Sequence, residues 1–192
     1  MMRVLIGCEF SGTVRDAFAA LGHDAWSCDL LPSETPGNHI QGDVLAVLDK
    51  RWDLAVFHPP CTRLCNSGVR WLHERNLWAD LDAACAFFLA LWDAPIPKVA
   101  IENPVQHRHA RERIGVAPTQ TVQPWQFGHG ETKATCLWLR GLPPLTPTEV
   151  VAGRYARIHR MPPGDQRWKA RSVTYKGIAL AMAQQWGGCD AK

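Results

Sequence analysis

Short aliphatic runs alternate with helical segments through residues 3–110 of this 192-residue chain. Arg3–Gly7 is an apolar run that ends in glycine, and apolar residues then recur at helical spacing as far as Gly22. Further apolar runs cover residues 25–28, 53–57 and 98–101, and a long amphipathic helix is predicted over 76–92. Strands that alternate with helices are typical of an α/β fold built on a parallel sheet.

Small or polar residues follow each of these predicted strands. The clusters are residues 8–12, Asp29, Asp43, residues 58–61 and the Glu102-Asn103 pair. Ligands of such sheets bind outside the carboxyl ends of the strands. These clusters together therefore predict one shared site along a single edge of the sheet.

Composition narrows the class of protein. The chain is 46% hydrophobic and 20% charged, which excludes a disordered or collagen-like chain. No apolar run approaches the ~20 residues that span a bilayer, and the apolar stretch at residues 1–7 is too short for a signal peptide. The seven cysteines, an odd number, are expected to be reduced thiols.

We therefore expect a cytoplasmic protein with one catalytic domain over residues 1–192. Residues 1–115 are predicted to form its cofactor-binding and catalytic half. Residues 116–192, which include a strand-like run at 135–139, are predicted to form a target-contacting segment and a closing helix. The sequence leaves the oligomeric state open.

Two prolines directly precede Cys61 at the end of a predicted strand. A thiol on such a stiff turn is exposed and held in one direction, as a nucleophile needs to be, although local charge must stabilise its thiolate. Glu102 ends the neighbouring strand and is a candidate acid or hydrogen-bond partner for a ring nitrogen. Cys61, Cys65 and His58 lack the Cys-x-x-Cys spacing of the zinc deaminases, so no metal site is predicted.

In their order, these clusters resemble the motifs of the cytosine-C5 DNA methyltransferases. Residues 8–12, Cys-Glu-Phe-Ser-Gly, look like the family's Asp-Leu-Phe-x-Gly cofactor loop, and Pro-Pro-Cys at 59–61 and Glu-Asn at 102–103 follow in the family's order. The resemblance implies a Rossmann-like S-adenosylmethionine-dependent methyltransferase fold, with a mostly parallel sheet and helices on both faces. It further implies methyl transfer from S-adenosylmethionine to C5 of cytosine in DNA, through a covalent cysteine adduct and without a metal.

The same resemblance implies roles for individual residues. Residues 127–135 align with the family's Phe-Gly-Val-Pro-Gln-x-Arg-x-Arg, in which Lys133 and Thr135 take the places of the two arginines. Together with the two earlier motifs, the resemblance implies that the catalytic residues are Cys61, Glu102, Lys133 and Thr135. The expected cofactor-binding residues are Phe10, Ser11, Gly12, Thr13, Asp29, Leu30, Asp43, Val44, Pro59, Arg171 and Ser172. Because C5 is hidden in duplex DNA, the cytosine must be flipped out or presented in a single strand.

Basic residues are expected to hold the phosphates of the target, with binding that weakens steeply as salt rises. The formal net charge is only +3, so this footprint must be local. The predicted nucleic-acid-binding residues are Arg63, Arg108, Arg111, Arg113, Arg154, Arg157, Arg160, Arg167 and Lys169. Only residues 142–171 occupy the place of the family's large target-recognition domain, which predicts a short target sequence or a loose context.

Departures from the family pattern leave alternatives open. Arg171 stands where the family has asparagine beside the cofactor, and a guanidinium pairs with a carboxylate. Carboxymethyl transfer from carboxy-S-adenosylmethionine is therefore one alternative. Methylation of RNA, with Cys65 as a second catalytic cysteine, is another. Thr62 and Thr135 motivate a third, an inactive nucleic-acid-binding homologue. Association with the family also suggests a phage or mobile-element modification enzyme.

Overall fold

The computed structural model describes residues 1–165 and 167–188. Within these ranges the strands are β1 (Arg3–Gly7), β2 (Asp24–Asp29), β3 (His39–Gln41), β4 (Leu54–Phe57), β5 (Lys98–Pro104), β6 (Gln120–Val122) and β7 (Thr135–Arg140). The α-helices are α1 (Thr13–Ala20), α2 (Val69–Glu74), α3 (Trp78–Trp92), α4 (Arg108–Ile114), α5 (Arg157–Arg160), α6 (Arg167–Ser172) and α7 (Lys176–Gly187). None of these helices is long and apolar enough to cross a membrane.

All of these strands join one sheet in the order β3-β2-β1-β4-β5-β7-β6. β1 to β5 run parallel, whereas β7 runs antiparallel to both β5 and β6. The strand order reverses direction between β1 and β4, and in open α/β sheets the ligand crevice lies at that point, outside the carboxyl ends of the strands. The predicted α/β fold class is confirmed.

Alternating side chains of the central strands pack into two separate hydrophobic cores, one on each face of the sheet. Leu5 of β1 packs in one core, which helices α2, α3 and α4 cover on that face of the sheet. Its neighbours Val4 and Ile6 belong to the other core, beneath α1 and α7. Since successive strand residues point to opposite faces, helices on both faces leave the strands of this parallel region apolar throughout.

Three features of the sheet differ from the sequence prediction. β3 and β6 were not predicted, because three residues are too few to show a periodic pattern. β5 continues three residues beyond the predicted end at 101, because β7 pairs with Glu102, Asn103 and Pro104. The prediction that Glu102 and Asn103 follow the strand was therefore wrong, and both lie within it.

A buried arginine in α1 holds the chain that follows β2. Arg15 is 1% exposed, and its guanidinium donates to the hydroxyl oxygens of Ser27, Ser33 and Thr35. It also donates to the carbonyl of Pro36. Since the guanidinium has five donors in a rigid fork, this one side chain fixes the segment between β2 and β3 against α1.

The substitution Arg15→Met should lower the free energy of unfolding by about 3 kcal/mol, because several oxygens around the guanidinium lose their donor at about 1–3 kcal/mol each. Urea unfolding followed by circular dichroism measures the change. The matched control is Arg111→Met, since Arg111 is an exposed helical arginine and should change stability by less than about 0.5 kcal/mol. Equal small losses in both variants would show that the Arg15 network is not a stabilising feature.

Candidate active site

A small cleft lies at the reversal of strand order. Residues 8–11, which follow β1, line one side, and His58, which follows β4, lines another. Residues 172–174 close the cleft from the C-terminal segment. Its volume of about 40 Å³ is far below the ~300–1,000 Å³ of pockets that enclose drug-sized ligands. In this conformation the closing segment therefore fills most of the crevice.

The closing segment rests on the predicted cofactor loop. Trp168 of α6 packs against the buried ring of Phe10, with ring centroids 5.8 Å apart. Lys169 pairs with the carboxylate of Glu34 and lies 5.7 Å from the Phe10 ring. These contacts of α6 therefore cover Phe10 on this side of the crevice.

The carboxylate of Glu9 caps the first helix. Its two oxygens accept hydrogen bonds from the backbone N–H groups of Val14, at 2.7 Å, and Arg15, at 3.2 Å. Glu9 is buried, and a negative charge at the positive end of a helix dipole is stabilising. The N-terminus of α1, which in dinucleotide-binding folds receives a phosphate, is here occupied by the protein's own carboxylate.

The remaining predicted cofactor residues gather on the same edge. Burial, followed by the charges of Asp29 and Asp43, raises the pKa of Cys8 to about 12, so both carboxylates lie near the end of β1. Leu30 is 73% exposed beside them, whereas Val44 is buried. An exposed leucine next to two carboxylates is a surface suited to an adenine ring and ribose hydroxyls.

The other predicted cofactor-loop residues have local structural partners. Gly12 has a φ of 74°, and a Cβ there would come within 2.5 Å of the Arg15 guanidinium. The hydroxyl of Thr13 accepts a hydrogen bond from Ser11 Oγ at 3.1 Å. The loop conformation therefore depends on the absence of a side chain at position 12.

Cys61 and Cys65 form a coupled thiol pair. Residues 61–65 make one tight turn, in which the N–H of Cys65 donates to the carbonyl of Cys61 at 3.0 Å. The hydrogen bond from the Cys61 thiol, together with Ser67 Oγ at 3.0 Å and two backbone N–H groups, lowers the pKa of Cys65. The same hydrogen bond, followed by burial, raises the pKa of Cys61. Cys65 is therefore the more acidic thiol of the pair in the free protein.

Glu102 is a buried carboxylate that remains ionised. Burial acts to raise its pKa, but a hydrogen bond from His58 and the positive charge of Lys133 outweigh burial, so the pKa of Glu102 is lowered. Its Oε2 lies 2.9 Å from Nδ1 of His58. The charges of Glu102 and Lys133 also act on Cys61. The structure thus brings Cys61, Glu102 and Lys133 into one group.

Neighbouring backbone contacts position this group. The buried side chain of Asn103 donates to the carbonyl of Pro59 at 2.9 Å, which ties the turn before Cys61 to β5. Lys133 Nζ donates to the carbonyl of Arg171 at 2.9 Å, and Thr135 Oγ1 donates to the carbonyl of Lys133 at 3.1 Å. Thr135 therefore contacts the chain of Lys133 and lies at the start of β7.

Arg171 and Ser172 differ in their relation to the cleft. Ser172 lines it, whereas Arg171 contributes its backbone carbonyl to Lys133 and is absent from the cleft lining. Sequence reasoning placed His58 and Asn103 in the strand-end clusters but assigned neither of them a role in the site. A histidine directly before the Pro-Pro-Cys turn was the one visible signal for the first of them.

Ion pairs neutralise five of the nine predicted nucleic-acid-binding residues. These five are Arg63, Arg108, Arg113, Arg157 and Lys169, paired with Asp80, Glu112, Asp82, Glu131 and Glu34, respectively. Arg154 stacks on Trp125, with its guanidinium 3.8 Å from the ring centroid. The positive footprint expected from the sequence is consequently smaller than the count of arginines and lysines suggests.

The described part of the chain contains no disulfide and no group of three or more His, Cys, Asp or Glu side chains that could hold a metal ion. Its free cysteines are Cys8, Cys28, Cys61, Cys65, Cys85 and Cys136. Cys189, which was included in the prediction of reduced thiols, lies outside the described residues.

Comparison with known proteins identifies the fold. No family model and no curated protein matches the sequence. The chain is similar over 79% of its length to a protein assigned as a DNA modification methyltransferase encoded within an E. coli prophage, with 12% sequence identity and a TM-score of 0.50. Similarity to the Entamoeba histolytica methyltransferase EhMeth also covers 79% of this chain, with 12% identity and a TM-score of 0.51.

The chain covers 52% and 58% of those two structures, so it spans little more than half of their length. At this level of identity the likeness concerns the fold. The predicted Rossmann-like fold of S-adenosylmethionine-dependent methyltransferases, a mostly parallel sheet with helices on both faces, is confirmed.

The thiol pair generates a pH-dependent prediction. Because the hydrogen bond to Cys65 and the charge of Cys65 raise the pKa of Cys61, Cys65→Ala should move the alkylation midpoint of Cys61 to lower pH. Iodoacetamide labelling across a pH series, read at each cysteine by peptide mass spectrometry, measures the midpoint. Cys85→Ala, which replaces a buried cysteine of α3, is the control and should leave the midpoint unchanged. An unchanged or higher midpoint in Cys65→Ala would contradict the coupling.

Proposed function

We propose that this protein is an S-adenosylmethionine-dependent methyltransferase that modifies C5 of cytosine in DNA through a covalent adduct of Cys61. One observation carries the proposal. The thiol of Cys61, the ionised carboxylate of Glu102 and the ammonium of Lys133 interact electrostatically beside the crevice at the reversal of strand order. Perturbed titratable groups that converge next to a ligand crevice are typical of an active site.

The donor side of the crevice favours a nucleoside without a phosphate. In dinucleotide-binding folds the pyrophosphate occupies the N-terminus of the first helix, but here Glu9 already accepts the N–H groups of that helix. A phosphate would have to lie against this carboxylate and would be repelled. Asp29, Asp43 and the exposed Leu30 offer instead acceptors for ribose hydroxyls and an apolar cover for a base.

S-adenosylmethionine fits these residues, and the proposed contacts are Phe10, Ser11, Gly12, Thr13, Asp29, Leu30, Asp43, Val44, Pro59 and Ser172. When bound, it supplies an electrophilic methyl group on a sulfonium. The cleft has to open for this ligand, since the volume of the cleft is only about 40 Å³.

The chain's own residues supply the remaining chemistry. The Cys61 thiol passes its proton to the sulfur of Cys65, its hydrogen-bond acceptor, and forms a bond to C6 of cytosine, which makes C5 nucleophilic. Glu102, which is ionised in the free protein, takes up a proton from solvent when cytosine binds and donates it to N3 as negative charge develops there. Lys133 lowers the cost of charge on both groups, because its ammonium acts on Cys61 and on Glu102. After C5 is alkylated and loses its proton to a base, the Cys61 thiolate leaves and the ring regains its aromaticity.

Methyl transfer is proposed ahead of carboxymethyl transfer. The latter requires the guanidinium of Arg171 to bind a donor carboxylate, whereas the cleft is lined by residues 172–174. DNA is proposed as the substrate in preference to RNA, and this preference rests only on the order of the motifs. The phosphate contacts are assigned first to Arg111, Arg154, Arg160 and Arg167, which form no salt bridge within the described residues.

Incubation of the protein with S-adenosylmethionine and cytosine-containing DNA should yield 5-methylcytosine, detected by mass spectrometry of the released nucleosides. Cys61→Ala should abolish the product, because the C6 adduct cannot form, while S-adenosylhomocysteine still binds. Cys85→Ala, remote from the crevice, should retain full activity. Product from Cys61→Ala would refute the nucleophile assignment, and a carboxymethyl mass or product on RNA alone would establish one of the alternatives.

The substitution Glu102→Gln should lower the turnover number by about 10²–10⁴-fold, the range expected when a positioned proton-transfer group is lost. Glutamine can still accept the N–H of His58, so the turn that carries Cys61 should keep its position. Single-turnover kinetics measure the chemical step, and calorimetry measures S-adenosylhomocysteine binding, which should be unchanged. A Glu102→Gln enzyme with the rate of the wild type would exclude a role for this carboxylate at N3.

A further inference from the structure

His58 lies between the proposed catalytic carboxylate and the proposed donor cleft. It follows β4 directly, and 9% of its side chain is exposed. One ring nitrogen, Nδ1, lies 2.9 Å from Oε2 of Glu102. His58 also belongs to the lining of the cleft, together with residues 8–11 and 172–174. The mechanism above assigns no role to the other ring nitrogen.

The contact with Glu102 determines which nitrogen carries the proton. An ionised carboxylate can only accept hydrogen bonds, and Glu102 is held ionised by its surroundings. Nδ1 of His58 is therefore the N–H donor, and in the neutral ring Nε2 presents a lone pair. Nε2 is fully buried and has no hydrogen-bond partner among the described residues. A buried acceptor without a partner destabilises the protein, which points to a ligand that donates a hydrogen bond to it.

Two serine hydroxyls in the same lining also use their protons within the protein. The hydroxyl proton of Ser172 is donated to the carbonyl of Lys169 at 2.8 Å. The single hydroxyl proton of Ser11 is directed to Glu9 Oε1 or to Thr13 Oγ1. Towards a ligand, these serine oxygens can therefore only accept a hydrogen bond. A ligand group that fits here is a donor without acceptors, and an ammonium group, with three N–H donors, has that character.

We propose that Nε2 of His58 accepts a hydrogen bond from the α-ammonium group of the methionine part of the methyl donor. This inference rests on the proposed function, since it requires an amino-acid-bearing donor in the cleft. His58 then links the donor to Glu102 through its two nitrogens. The same imidazole that fixes the amino-acid end of the donor also holds the carboxylate that faces the cytosine.

Two substitutions separate the two nitrogens of the ring. Asparagine at position 58 places an amide near the site of Nδ1 and nothing at Nε2, whereas glutamine reaches the site of Nε2. The probes are S-adenosylhomocysteine and its analogue without the α-amino group, with dissociation constants measured by calorimetry for the wild type and both variants. Thermal unfolding of each variant verifies that it is folded.

For S-adenosylhomocysteine, His58→Asn should weaken binding by about 10- to 100-fold, the size of one hydrogen bond to a charged group. His58→Gln should retain most of the affinity. For the analogue without the amino group, His58→Asn should bind as the wild type does. Removal of the amino group from the ligand should weaken binding to the wild type by a similar factor and should leave the affinity of His58→Asn unchanged.

Equal losses for both ligands in His58→Asn would overturn the proposal, because the histidine would then act through the fold of the cleft. Unchanged affinity for both ligands would overturn it as well. If the wild type binds neither ligand, the proposed function itself fails. If the wild type binds both ligands and His58→Asn does not distinguish between them, only the role of His58 fails.

The hydrogen bond to His58 can also be tested in the wild-type protein, so the test does not depend on a variant that folds. In ¹⁵N-labelled protein, the histidine side-chain spectrum should show Nδ1 of His58 protonated before and after ligand addition. The Nε2 resonance should shift upfield when S-adenosylhomocysteine is added and stay in place with the analogue that lacks the amino group. A shift of equal size with both ligands, or with neither, would contradict the hydrogen bond.

Discussion

Burial of the Glu102 carboxylate is the constraint on which the rest of the site depends. A charge in the interior of β5 is tolerated only when it is paired and hydrogen-bonded. His58, carried by the turn after β4, and Lys133, carried by the chain before β7, supply these partners. One carboxylate therefore ties three separate segments together, and Cys61 follows His58 on the same proline-stiffened turn. The geometry of the proposed nucleophile is a consequence of how Glu102 is accommodated.

The antiparallel strand β7 makes this arrangement possible. Its pairing with β5 extends that strand through Pro104 and brings the chain before Thr135 to the carboxyl edge of the parallel strands. A parallel strand in this place would deliver the preceding segment to the opposite edge, far from Cys61. The reversal of β7 thus supplies Lys133 to a site whose other members come from the first half of the chain.

The sequence predicts the positions of the longer elements well, because their apolar periods extend over many residues. β1, α1, α3 and α7 agree with the expected segments. It predicts the grouping of the strand-end clusters, since parallel strands share one carboxyl edge. The three-residue strands β3 and β6 carry no period and were missed. Four of the five ion pairs that neutralise predicted phosphate contacts were also not predictable, because they join residues far apart in the chain.

Local patterns in the chain predict the α/β sheet and the edge at which its strand-end clusters meet, because parallel strands share one carboxyl edge. The proposed thiol and carboxylate follow from their places in those clusters and from the resemblance in motif order. How these groups ionise and what they touch depends on folding. Cys65 becomes the more acidic thiol, Glu9 occupies the helix end, and Nε2 of His58 has no hydrogen-bond partner among the described residues. These properties depend on burial and on partners brought together by folding, and no local pattern in the chain encodes them.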